Sequence, residues 1–371
     1  MTRLHQLYET QGQSPWLDNL QRGWLTTGEL ARWVERGVRG ITSNPTIFQK
    51  AIAGSPDYAE QLGELARAGG TVSDAYWELV GRDIADALAV LRPVWEDSSG
   101  LDGYVSLEVD PALAHDADAT AASARALHER LAAPNLYVKV PATVEGVEAF
   151  RRLVAEGRSV NVTLIFSLER YDQVIEAYLA GLEACALADL SAVSSVASFF
   201  VSRVDTEVDR RLEEIGGDEA LALRGKAAVA QAQLAYALFQ RRFAGPRWEA
   251  LAGRGARVQR PLWASTSTKN AAYPDTLYVD RLIGPDTVNT LPESTLEAFE
   301  DHGTVARTVD ADPAGAEAVW QALAAVGVDL ADVAGRLERE GVSSFAKSFD
   351  ELIATLNGRI EELGRVQGDR S

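Results

Sequence analysis

The stretch LYVKVPATVEGVEAFRRLVAEGRSVNVTLIFS, residues 136–167, holds two short runs that read as buried β-strands, LYVKVP (136–141) and SVNVTLIFS (159–167), joined by a helical pattern over 144–157. A strand, a helix and a strand in that order imply parallel pairing, because the helical crossover returns the chain to the end of the sheet where it started. The same alternation recurs on both sides. Further strand candidates are PWLDN (15–19), VRGITS (38–43), YVSLEV (104–109), AVSSVASFFV (192–201), PLWAST (261–266) and DTVNTLP (286–292), which makes eight. Helical patterns lie between them, at 26–37, 74–95, 118–132 and 167–184 among others, several opening on Ser, Thr or Asp in N-cap position and closing near Gly. Eight β-α units predict an α/β fold of the closed (β/α)8 TIM-barrel type.

The chain's 371 residues exceed the ~250 of a typical barrel of this kind. The excess falls in a helical insertion over about 55–99, after the second strand, and a helical tail over about 313–364. No Pro/Gly/Ser-rich linker sets either apart, so one domain spanning 1–371 is expected.

Charge narrows the choice of partners. With 36 basic and 54 acidic residues the net charge is −18, which repels phosphate backbones and anionic membranes, so neither nucleic acid nor a membrane surface is expected as a partner. An anionic substrate would need local cations to bind against the global field. The single cysteine, Cys185, rules out an internal disulfide and a multi-cysteine metal site and fits a reducing compartment. The N-terminus has no apolar leader core and no run approaches the ~18 apolar residues of a membrane span, so a soluble cytoplasmic protein is expected. The four histidines are scattered without metal-ligand spacing, and Gly225-Lys226 is followed by Ala, which defeats a P-loop reading. No metal or organic cofactor is called for.

Strands of a parallel barrel are covered on both faces and should be nearly all apolar. Three are not. In YVSLEVD, Val105, Leu107 and Val109 alternate with Ser106, Glu108 and Asp110; in LYVKVP, Tyr137 and Lys139 oppose the valines; in SVNVTLIFS, Asn161 and Thr163 do the same. If the apolar set packs on the outer helices, the polar set points into the barrel, and near the C-terminal mouth that is where barrel enzymes keep their chemistry. Asp18 after the first strand, Asn44 after the second and Ser198 in the sixth can join this group. Each residue alone has a bland reading: a snorkelling lysine, a structural carboxylate, an Asn or Thr filling a hydrogen bond. Their co-occurrence on one parity of adjacent strands favours function, because buried polar groups without partners cost kilocalories each. A buried amine beside carboxylates can attack a ketone and form a Schiff base, whose iminium accepts electrons from a breaking C–C bond. The carboxylates then move the protons that carbinolamine formation, dehydration and cleavage require.

The blocks GVRGITSNPTIF (37–48), LEVDP (107–111), YVKVPATVEG (137–146), SVNVTLIFSLERY (159–171), ASFFVSRVD (197–205) and RPLWASTSTKN (260–270) together resemble the transaldolase family, in its longer bacterial form. By that resemblance Lys139 is the Schiff-base lysine, Asp18 the acid/base at the C4 hydroxyl, and Glu108 and Thr163 the pair that holds a catalytic water. The resemblance likewise makes Asn44, Asn161 and Ser198 ligands of sugar hydroxyls, and Arg203 a phosphate-binding residue. Ser267 and Lys269 fall where the family often has a Ser-x-Arg clamp; lysine keeps the charge but loses the bidentate fork, and Ser265 is an alternative to Ser267. The implied reaction is transfer of a dihydroxyacetone unit from a ketose phosphate, such as fructose 6-phosphate or sedoheptulose 7-phosphate, to an aldose phosphate such as glyceraldehyde 3-phosphate or erythrose 4-phosphate. A related fructose 6-phosphate aldolase would release dihydroxyacetone instead; those enzymes have glutamine at the position of Glu108 and tyrosine at that of Phe200, which this chain lacks. A non-catalytic barrel that binds sugar phosphates is the other alternative, and the intact set of Lys139, Glu108 and Thr163 speaks against it. The expected assembly is a monomer or homodimer.

Overall fold

The computed structural model describes residues 1–368, and side chains as far as 362. Eight parallel strands close into a barrel in the order β1 to β8: β1 Gln13–Leu17, β2 Ile41–Thr42, β3 Val105–Glu108, β4 Leu136–Pro141, β5 Val160–Ile165, β6 Ser195–Phe200, β7 Arg260–Ala264 and β8 Thr287–Leu291. Closure is made by β1 against β8, in continuous register from Gln13↔Thr287 to Leu17↔Leu291.

All eight strand candidates are strands, with shifted ends. β1 starts two residues before the predicted run and stops at Leu17, so Asp18 stands just beyond it at the C-terminal mouth. β2 is only two residues long, and just before it the chain passes the Trp16 indole so closely that any Cβ at Gly40 would sit 2.4 Å from the ring. The pattern at 26–37 is two helices, Arg22–Thr27 and Glu29–Glu35, broken at Gly28, whose φ of 76° is left-handed.

The insertion forms the helices Ala59–Ala68 and Val72–Asp97, and the tail forms Pro313–Ala325 and Leu330–Gly368. The last of these, the C-terminal helix, is a strap across the barrel mouth. At one end Arg211 binds Asp332 at 2.6 Å. In the middle Gly341 lies over β5, where an added Cβ would come within 2.9 Å of Leu164. At the far end Phe349 meets Tyr76 edge-on at 5.0 Å, and Arg359 donates to the Ile52 and Ala53 carbonyls at the end of helix Pro45–Gly54. No single helix among the described residues is long and apolar enough to cross a membrane.

The opposite, N-terminal end of the barrel is closed by one carboxylate. Asp102, fully buried just before β3, accepts hydrogen bonds from Ser14 Oγ (2.8 Å), Trp16 Nε1 (3.1 Å), Arg39 Nε (2.8 Å) and Arg260 Nη2 (3.0 Å). Burial alone would raise its pKa, but the Arg260 and Arg39 guanidiniums outweigh that and hold the carboxyl below its usual range. Four donors from β1, β7 and the loop before β2 thus converge on one point of the floor. Asp102→Ala strands Arg260 in the core as an uncompensated charge and is expected to cost about 3–5 kcal/mol, read as a lower denaturant midpoint at unchanged slope. Loss of less than about 1 kcal/mol would put the pair in the class of surface bridges.

Candidate active site

The parallel register places Glu108 of β3 opposite Lys139 of β4, and Lys139 opposite Asn161 of β5, so three inward polar residues form one row. Lys139 is 4% exposed and Glu108 7%, so the row is essentially dry. The Lys139 amine lies 3.1 Å from Glu108 Oε2 and donates to the Ser43 carbonyl at 3.0 Å. Burial raises the Glu108 carboxyl above its ordinary 4.5, the Lys139 charge opposes this, and the nearby Asp18 carboxylate reinforces it. Apart from this ion pair with Lys139, Glu108 Oε2 has no further partner among the described residues, and the buried Thr163 hydroxyl has none at all.

β5 carries an irregularity directly after these residues. Its register against β6 shifts between Val162 and Ile165, and Leu164 has a φ of 62°, unusual for a branched side chain. This bulge lays Leu164 against the C-terminal helix while Thr163 remains on the cavity wall.

A cavity of about 340 Å³ opens at the C-terminal mouth, with Asp18, Lys139, Thr163 and Ser198 on its wall. Asp18 accepts from Thr42 Oγ1 at 2.7 Å. Burial raises its pKa above the ordinary 3.8, against the Thr42 hydrogen bond and the charges of Lys139, Lys269 and Arg203. Asn44 caps the helix Pro45–Gly54, its Oδ1 accepting from Ile47 N at 3.0 Å, and also reaches the cavity.

Arg203, Lys269 and Ser267 share the rim with Phe200, whose ring lies 5.2 Å from the Arg203 guanidinium. Lys269 donates to Ser267 Oγ at 2.5 Å; Ser265, also on the wall, pairs with Ser202 at 3.0 Å. Burial pushes the Lys269 amine down, and the charges of Arg203 and Lys50 push it further, with Asp18 opposing. Arg203 is likewise lowered by burial, against Asp18 and Glu340. Among the described residues none of Lys50, Arg203 and Lys269 has a carboxylate oxygen within 4.0 Å, although the chain carries 54 acidic residues. Three like charges crowded without counterions suit an anion.

Two of the expected residues do not line the cavity. Glu108 lies behind Lys139, and Asn161 lies beneath the wall, its amide nitrogen on Ser106 Oγ at 3.1 Å and its oxygen accepting from Ser198 Oγ at 2.7 Å. Conversely, sequence reasoning missed Thr42, Thr290, Lys50, Ser344 and Phe345, all on the wall. Lys50 was discoverable, since it lies three residues after Ile47 on the helix that Asn44 caps at the mouth. Ser344 and Phe345 come from the C-terminal strap and carry no local signal.

The family model described as Transaldolase/Fructose-6-phosphate aldolase matches residues 15–356. Among curated proteins, the transaldolase of Acidothermus cellulolyticus is 54% identical over 361 residues, covering 96% of this chain and 97% of that protein. The transaldolase of Mycobacterium leprae is 50% identical over 359 residues, 95% and 96% of the two chains, and that of Thermobifida fusca 54% over 346 residues, 92% and 94%.

Lys139→Met removes the charge that opposes burial at Glu108, so the Glu108 carboxyl should titrate at a still higher pH. Infrared titration of the carboxyl band in the two forms checks this, and an unmoved band would mean the amine does not govern that group.

Proposed function

Because the chain belongs to the transaldolase/fructose-6-phosphate aldolase family, we propose that it is a transaldolase, moving a dihydroxyacetone unit between sugar phosphates through a Schiff base on Lys139. The observation that carries this reading is a dry amine 3.1 Å from a carboxylate, on a cavity whose rim gathers three unpaired cations. The Lys139 nitrogen attacks the C2 carbonyl of a ketose phosphate, and the carbinolamine loses water to give the iminium. Glu108 and Thr163 manage that water; the buried Glu108 Oε2 has only the amine as its partner, and the buried Thr163 hydroxyl on the wall has none. Asp18 takes the proton of the C4 hydroxyl as the C3–C4 bond breaks. The electron pair moves into the enamine, and the aldose phosphate leaves. A second aldose phosphate then accepts the enamine, the steps reverse, and water frees the product from Lys139.

Asn44 and Ser198 bind sugar hydroxyls, with Asn161 acting through the Ser198 hydroxyl. Arg203, Lys269 and Ser267 take the phosphate. Glu108 and Phe200 favour transfer over release of dihydroxyacetone: the buried carboxylate activates water in place, and the phenyl ring adds no hydroxyl to the wall. The reading includes one domain, cytoplasmic sugar phosphates as the only partners, and a monomer or homodimer.

Borohydride reduction in the presence of fructose 6-phosphate should leave a covalent adduct that peptide mapping places at Lys139; an adduct elsewhere, or none, would overturn the mechanism. A second test uses pH. The base form of Asp18 is the active one and its pKa is raised, so kcat/KM should fall as pH drops through a value above 3.8. Asp18→Asn should lower kcat by at least about a hundredfold and abolish that acid limb in the residual activity. A limb that persists would belong to another group.

A further inference from the structure

Two carboxylates on the helix Ser202–Ile215 have no part in the reaction described above, yet both are buried. Asp205 accepts from the Tyr278 hydroxyl at 2.7 Å and from Ala228 N at 2.7 Å. One turn later, Asp209 accepts from the Tyr273 hydroxyl at 2.6 Å and from Gly225 N at 2.8 Å. Each carboxylate therefore ties two segments to this helix: the chain following β7, and either the first turn of helix Ala227–Arg242 (Asp205) or the turn that precedes it (Asp209). The fit at Gly225 is close, since an added Cβ would stand 2.7 Å from the Tyr273 ring.

The chain following β7 is the one that carries Ser267 and Lys269, and the tethered helix carries Arg203 in its first turn. Several of the loop's remaining bonds are internal, such as Thr268 Oγ1 to the Pro274 carbonyl at 2.8 Å. At its start it is held by Ser265, whose carbonyl accepts from Ser202 N at 3.0 Å and whose hydroxyl pairs with that of Ser202, and by Thr266 Oγ1 on the Thr290 carbonyl; beyond Lys269 it has the exposed pair of Asp275 with His302. Arg203 and Lys269 repel each other, so without restraint the loop would relax away from the helix. A second cavity of about 230 Å³ lies behind the loop, and Lys269 lines it together with Asp205, Asp209, Tyr273 and Tyr278. The lysine thus lines both the mouth cavity and the one behind the loop, while the tyrosine hydroxyls hydrogen-bond the two carboxylates.

We propose that Asp205 and Asp209, acting through Tyr278 and Tyr273, are positioning residues that hold Lys269 beside Arg203 and keep the anion site formed before substrate arrives. This rests on the reading of those two cations as the phosphate site. Binding then need not assemble two repelling cations and order a loop at the same moment.

The test is calorimetric titration of the whole protein with inorganic phosphate, beside steady-state kinetics with fructose 6-phosphate and erythrose 4-phosphate, for Tyr273→Phe, Tyr278→Phe and Arg203→Ala. Each Tyr→Phe change should weaken phosphate binding and raise KM by roughly three- to tenfold, a fraction of what a charged hydrogen bond is worth, with kcat nearly unchanged. Tyr273 is only half-buried, so its phenylalanine variant should fold even if that of Tyr278 does not. Lower thermal stability with phosphate affinity and KM unchanged in the Tyr273 variant would overturn the proposal, as would a fall in kcat alone. Should Arg203→Ala weaken phosphate binding while the tyrosine variants do not, the clamp fails and the phosphate site stands. If Arg203→Ala leaves phosphate binding unchanged, the phosphate site itself is wrong and the clamp falls with it.

Discussion

A closed parallel barrel leaves little room for water among its inward side chains below the mouth, so each polar group that points down the axis must find a partner inside or be held for use. Leaving one buried polar group unmatched costs about 1–3 kcal/mol. This constraint orders the whole axis of the protein. At the floor Asp102 is matched by four donors and neutralised by two guanidiniums. Halfway up, Asn161 is matched on both sides of its amide by Ser106 and Ser198. Towards the mouth the inward groups are less fully matched: Thr163 Oγ1 lacks a hydrogen bond, and the amine of Lys139 has the Ser43 carbonyl and the Glu108 carboxylate as its partners. Those incompletely matched groups are the ones where chemistry is available.

The same logic operates with whole charges at the rim. An acidic chain of net charge −18 could easily have supplied counterions to Lys50, Arg203 and Lys269, and it pairs many of its other arginines with carboxylates. Those three instead face a shared cavity, where the Arg203 and Lys50 charges add to burial in lowering the Lys269 amine. Two of them are carried by neighbouring elements, the helix after β6 and the loop after β7, which the Asp205 and Asp209 hydrogen bonds bind together. The strap formed by the C-terminal helix closes one side of the mouth with Ser344 and Phe345, giving the tail that follows the barrel a place in the cavity wall.

Much of this was legible in the chain before any coordinates. Period-two alternation in three neighbouring strands assigned Ser106, Glu108, Lys139, Asn161 and Thr163 to one inward set, and the observed register agrees at each pair. Parity is a local property of extended backbone, so it survives errors of two residues at a strand end. Two things were not legible for want of a local cause. The need for glycine at position 40 comes from the Trp16 indole packed against it, from a strand more than twenty residues earlier. The position of Asn161 behind Ser198 depends on the stagger between strands, which parity does not contain.

The sequence by itself therefore determined the eight-strand order, the inward parity and the lysine with its carboxylates, because alternation and β-α succession are written in adjacent residues. Tertiary structure alone decided which of the inward residues reach the cavity and which stand behind it, the bulge that turns Leu164 out at Thr163, and the arrival of Ser344 and Phe345 from the far end of the chain. It also decided that Lys50, Arg203 and Lys269 meet at one cavity with no carboxylate oxygen within 4.0 Å of any of them among the described residues. Those outcomes depend on distances between elements far apart in the chain, and such distances are fixed only when the barrel closes and the helices pack upon it.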